Sequence, residues 1–136
     1  MVDRQRVEER LARLARELAL LDDARHVGRD VYLADEDLQQ RVERALQVAI
    51  QTCIDIGTHF VASWSLGAPE GYADVFERLR LSGELDRGLA EALMSAVGQR
   101  NLLVHAYLDI DHQIIWEKLS EADDLRAFGV WAHGQL

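Results

Sequence analysis

The chain has 136 residues, half of them apolar and over a quarter charged, which is the composition of one ordinary globular domain over 1–136 with a core that needs no staple. Acids outnumber bases 24 to 15, a formal net charge of −9, which argues against binding nucleic acid through overall charge and leaves only a local basic groove for that purpose. One cysteine, Cys53, excludes a disulfide framework and a cysteine-rich zinc site within one chain and fits a reducing cytosol.

The start, MVDRQRVEERLARL, is charged and has no apolar h-region, so no signal peptide is expected, and no stretch has the apolar length of a membrane span. Asp3 can cap a first helix whose apolar residues Val7, Leu11, Leu14, Leu18 and Leu21 form one stripe that fades near Gly28. A second helix is predicted from Asp37, with Gln40 as capping-box partner, through Leu38, Val42, Leu46, Ile50, Cys53, Phe60 and Trp64. Its apolar face is wide enough for packing on two sides, a core and a partner. Ser65 to Gly71 reads as a loop. A short helix runs from about Pro69 or Tyr72 to Leu81 and ends at Ser82-Gly83. Asp86 can cap the next, whose stripe of Leu89, Ala90, Leu93, Met94 and Val97 runs through Gly98 into GQRNLLVHAYLD. Asp109-Ile110-Asp111 reads as a turn and cap, and one last helix carries Ile114, Ile115, Leu119, Leu125, Phe128 and Trp131. The expected architecture is all-α, an up-and-down bundle of four to five helices.

Residues 98–109 combine an apolar segment with Arg100, Asn101, His105 and Tyr107. Taken singly, each is more simply structural: a satisfied core histidine, a cation at a helix edge. Together they suit phosphodiester chemistry without a metal. Such cleavage of RNA needs a base for the 2′-hydroxyl, an acid for the leaving oxygen and a cation for the charge building at phosphorus. Histidine titrates near neutral pH, so it suits the proton transfers. Arginine holds phosphate oxygens with a planar fork and keeps its charge. Tyr107 and Asn101 can hold hydrogen bonds around the same phosphate. On a continuous helix Arg100 and Tyr107 share a face, but Arg100 and His105 stand about 140° apart around the axis. One protomer therefore gathers the groups poorly, and a two-fold dimer would bring two histidines and two arginines to one cleft. The second helix, with Leu102, Leu103, Val104 and Leu108, offers surface for it.

The stretch RNLLVHAY closely resembles the RX4HXY motif of HepT-like proteins in the HEPN superfamily. RALQVAIQTCIDIGTHF and GYADVFERLRLSGELD resemble that family's second helix and the segment before its motif helix, so the likeness spans nearly the whole chain. The resemblance implies an all-α homodimer, cytoplasmic, with no metal or cofactor. It implies the toxin half of a toxin–antitoxin pair, acting as a metal-independent endoribonuclease on RNA, with no DNA substrate and no membrane. Arg100 and His105 match the catalytic pair and Asn101 the polar residue beside it. Tyr107 matches the tyrosine to which an antitoxin, a nucleotidyltransferase of the MntA type, transfers AMP. That group adds charge and bulk beside the catalytic pair, which repels an RNA phosphate. The alternative is a non-catalytic HEPN subunit that binds nucleotide or a partner within a nucleotidyltransferase complex; the acidic balance favours it, the intact motif the enzyme. Position 51 is Gln where the family often has an acid, and no role is transferred to it.

Arg6, Arg10 and Arg13 line up on helix one, and Arg78, Arg80 and Arg87 precede the motif. They can track an RNA backbone, but the reading preferred is solvated surface charge paired in part with Glu9 and Glu17. Asp55 and His59 share a helix face, and a buried polar network suits them better than a metal. His112 is read as decorating the start of the last helix rather than as a second proton carrier. His26 and His133 carry no context, and Cys53 reads as a small buried hydrophobe.

Overall fold

The computed structural model describes residues 1–105 and 110–136, with the side chain of His105 outside the description. The described residues form seven helices: α1 (Arg4–Val27), α2 (Arg29–Ala34), α3 (Glu36–Ser63), α4 (Tyr72–Leu81), α5 (Arg87–His105), α6 (His112–Lys118) and α7 (Glu121–Gly134). No strand occurs among them. The all-α expectation holds, and the helix number is higher than four to five for two local reasons. Gly28, at φ 91°, breaks the chain between α1 and the six-residue α2, whose one buried side chain is Tyr32. The expected last helix is two, because the chain turns at Leu119 and Ser120 between α6 and α7.

The capping residues explain where the helices begin. Asp3 accepts from the amide of Arg6, as the sequence predicts. The cap of α3 is Asp35, which accepts from the Leu38 amide, and not Asp37; an aspartate two residues earlier reaches the free amides first. Asp86 accepts from Leu89 at the start of α5, and Asp111 from Gln113 at the start of α6. Asp109 of the expected turn lies outside the described residues.

The long α3 is the axis of the bundle. Its buried residues run from Leu38 to Val61, and α1, α4, α5 and α7 all pack against it. This consumes the wide apolar face that the sequence left for a partner. α1 lies antiparallel to α3: Asp3 meets His59 at one end, and Glu17 and Leu20 border Arg41 and Ala45 at the other. Phe60, Phe76, Phe128 and Trp131 interlock through edge-on and stacked contacts beneath α4 and α7. Gly57 is where α4 comes closest to α3: a Cβ there would stand 2.8 Å from Cγ1 of Val75. Cys53 is buried in this core, and burial pushes its thiol up, as expected of a small hydrophobe. No helix of the described residues is long and apolar enough to cross a membrane.

Candidate functional site

α5 carries the motif at its C-terminal end. Its inner face, Ala90, Leu93, Ala96, Val97 and Leu103, is buried in the core. Helical rotation then places Arg100 at the edge of the core and Asn101 and Leu102 in solvent. Gly98 leaves the helix unbroken. The described backbone of α5 ends at His105; the His105 side chain and Tyr107 lie outside the described residues.

Arg100 is held from two sides. Its Nη1 donates to Oδ1 of Asn101 at 3.2 Å, and its guanidinium carbon lies 5.2 Å from the centroid of the Tyr72 ring. Tyr72 opens α4 and is half exposed. In the sequence it stands out only as a possible start of that helix; its place beside the motif depends on how α4 packs on α5, and periodicity carries no sign of that. Nε of Arg100 is buried without a hydrogen-bond partner. A buried, unpaired guanidinium N–H costs free energy, of order 1–3 kcal/mol, until an acceptor arrives.

Arg100 forms one wall of a groove of about 430 Å³ between α1 and α3. Arg10 and Arg13 enter from α1, and Arg44, Gln51 and Asp55 from α3. Gln51 Nε2 donates to Asp55 at 2.9 Å, while its Oε1 is buried without a partner. The Asp55–His59 pairing suggested by helical spacing does not form. His59 Nε2 instead accepts from the amide of Asp3 and lies 3.4 Å from the Ser63 hydroxyl, so it ties the start of α1 to the end of α3. Burial, and then the charge of Arg6, hold its pKa below the usual value. The arginines before the motif fit the surface-charge reading, since Arg78 pairs with Asp74, Arg80 with Glu77 and Arg87 with Glu91.

On the other side of the motif, α6 brings His112 edge-on to the buried Tyr32 ring, with Nδ1 3.3 Å from Glu43. Burial raises the Glu43 carboxyl, an effect that His112 opposes, and raises the Tyr32 phenol far above its usual range. His112 decorates the helix start, as the sequence suggests. Among the described residues no three His, Cys, Asp or Glu side chains gather as a metal site.

The family described as Ribonuclease HepT-like matches residues 9–129. The chain is 32% identical to the tRNA nuclease HepT of Aphanizomenon flos-aquae over 116 residues, 85% of this chain and 79% of that protein. It is 33% identical to the mRNA nuclease HepT of Shewanella oneidensis over 81 residues, 60% of this chain and 61% of that one. Its structure superposes on the tri-AMPylated Shewanella oneidensis HEPN toxin, solved in complex with its MNT antitoxin, with a TM-score of 0.86 and 25% identity, covering 94% of this chain and 96% of the other. The match to the family spans the core, the groove and the motif helix together, and the chain belongs to the Ribonuclease HepT-like family.

Proposed function

We propose that this chain is the toxin of a HepT/MntA-type toxin–antitoxin pair, an endoribonuclease that cuts RNA at the motif carried by α5. The observation that carries the reading is Arg100: a guanidinium with an unpartnered buried N–H, edging an arginine-lined groove five residues before His105. Arg100 binds the non-bridging oxygens of the scissile phosphate. Asn101, bonded to Arg100, steadies that guanidinium and hydrogen-bonds the same phosphate. His105 takes the 2′-hydroxyl proton as the 2′-oxygen attacks phosphorus. The bond to the 5′-oxygen breaks, and that oxygen receives a proton from the second histidine of a homodimer. A positioned acid or base contributes about a hundred- to ten-thousand-fold, and a fixed cation a similar factor.

The homodimer is part of the proposal, because one α5 cannot present Arg100 and His105 on one face. Leu102 supports it: this side chain is 61% exposed beside Asn101, unlike Leu103, which the core takes up. Tyr107 is the proposed acceptor of AMP from a nucleotidyltransferase antitoxin. The transfer joins the phenolic oxygen to the α-phosphorus of ATP and releases pyrophosphate. The added phosphate repels RNA at Arg100.

The test is labelling with ATP and the partner nucleotidyltransferase. Tyr107→Phe should take up no AMP and should cleave RNA that the labelled parent leaves intact. Equal labelling of the variant would move the modified site elsewhere.

A further inference from the structure

The groove between α1 and α3 has a charge that the rest of the molecule does not. Four guanidiniums, Arg10, Arg13, Arg44 and Arg100, face two carboxylates, Glu9 and Asp55. That is a formal +2 (four minus two) in a chain of −9. Arg44 also edges a neighbouring groove, where it and Arg41 are balanced by Glu17 and Asp37, so the excess positive charge is confined to the first groove. With acids in excess, six of the ten arginines elsewhere find one: Arg4, Arg25, Arg78, Arg80, Arg87 and Arg126 are all ion-paired. Arg13 pairs with Glu17, but Arg10, Arg44 and Arg100 make no ion pair among the described residues. Three arginines in one groove without an ion-pair partner among the described residues, on an acidic protein, leave an anion to be supplied from outside.

Two buried atoms in the lining define that anion further. Arg100 Nε is a donor without an acceptor, and Gln51 Oε1 an acceptor without a donor. A phosphate oxygen satisfies the first. It cannot satisfy the second, which needs a donor close to a phosphate. The ribose 2′-hydroxyl is such a donor, and it is the group that separates RNA from DNA. Among the described residues no aromatic side chain lines the groove, so these residues offer bases nothing to stack on and meet the backbone instead.

We infer that the α1–α3 groove is a track for the ribose-phosphate backbone of single-stranded RNA, in which Arg10 and Arg44 hold phosphates next to the scissile one and Gln51 accepts from a 2′-hydroxyl. The inference rests on the ribonuclease reading above. It revises the surface-charge reading for Arg10 alone on α1; Arg13 pairs with Glu17 as that reading expects. The track holds RNA without reading its sequence.

The test uses the full chain as His105→Ala, with a fluorescent single-stranded RNA oligonucleotide and the DNA of the same sequence, titrated at salt concentrations from about 50 to 200 mM. Each phosphate neutralised on a single strand contributes a slope of about −0.7 in log affinity against log salt. Arg10→Ala and Arg44→Ala should each weaken RNA binding and remove about that much slope, while Arg10→Lys and Arg44→Lys should retain it. Arg87→Ala, whose cation is tied to Glu91, should match the parent. Gln51→Leu should bring the RNA and DNA affinities several-fold closer. Unchanged slopes in Arg10→Ala and Arg44→Ala would overturn the track, as would variants that lose the antitoxin but keep RNA. With His105 intact, the same arginine variants should raise KM and leave kcat nearly unchanged. Absence of cleavage by the unmodified parent would instead remove the ribonuclease reading, and the slopes would still decide the groove.

Discussion

The guanidinium of Arg100 sits over the ring of Tyr72, 5.2 Å from its centroid, so the first residue of α4 supports the arginine of the motif on α5. A cation over an exposed aromatic face is worth about 0.5–1 kcal/mol. Tyr72→Ala should therefore lower kcat/KM for RNA cleavage about two- to fivefold with little change in melting temperature, and Tyr72→Phe should keep nearly full activity. Equal loss in both variants would mean that the hydroxyl, and not the ring, matters.

His59 makes stability depend on pH. Its Nε2 accepts from the Asp3 amide, which requires the neutral ring, and its folded pKa is lowered by burial and by the Arg6 charge. The unfolded chain thus binds the proton more readily, near the ordinary value of about 6.5. The contribution is complete above that pH and is lost as pH falls through the folded value. His59→Gln keeps an acceptor without that titration. Thermal melts of the parent should drop more than those of His59→Gln between about pH 7.5 and pH 5.5. Parallel profiles would show that this contact carries no linkage.

Gly57 sets the distance between α3 and α4. An added Cβ would meet Val75 Cγ1 at 2.8 Å and Phe76 Cε1 at 3.4 Å. Val75 is β-branched and buried, so it has little room to rotate. Overpacking costs about 1–3 kcal/mol, against up to about 1 kcal/mol gained by replacing glycine inside a helix. Gly57→Ala should be less stable by about 1–2 kcal/mol in urea titrations. An equal or higher midpoint would show that α4 moves aside freely. Because α4 also carries Tyr72, RNA cleavage by Gly57→Ala should fall with that of Tyr72→Ala.

Most of the bundle was legible in the sequence, because amphipathic stripes and aspartate caps are local signals. α1, α4 and α5 begin at or beside the residues that the pattern names. The misses have local causes too. The six residues of α2 are too few to show a period, and only the burial of Tyr32 makes them structural. The split between α6 and α7 comes from a turn at Leu119-Ser120 with neither glycine nor proline to mark it. The site was half legible. The motif residues stand out by type and spacing, and helical geometry already separates Arg100 from His105. What lies across from Arg100 was not visible: Tyr72, Arg44 and Gln51 reach it only through the packing of α4 and α3. Arg13 pairs with Glu17 as its spacing suggests, while the place of Arg10 in a groove was not visible because a sequence shows helix one without what it borders.

The most direct test of the account is RNA cleavage by the purified, unmodified protein in EDTA, beside His105→Ala and Arg100→Ala. Cleavage that survives chelation, falls to background in His105→Ala and drops at least about a hundredfold in Arg100→Ala is the result predicted. Full activity in folded His105→Ala, or no cleavage by a parent whose mass shows no AMP on Tyr107, would contradict it and favour a binding subunit instead.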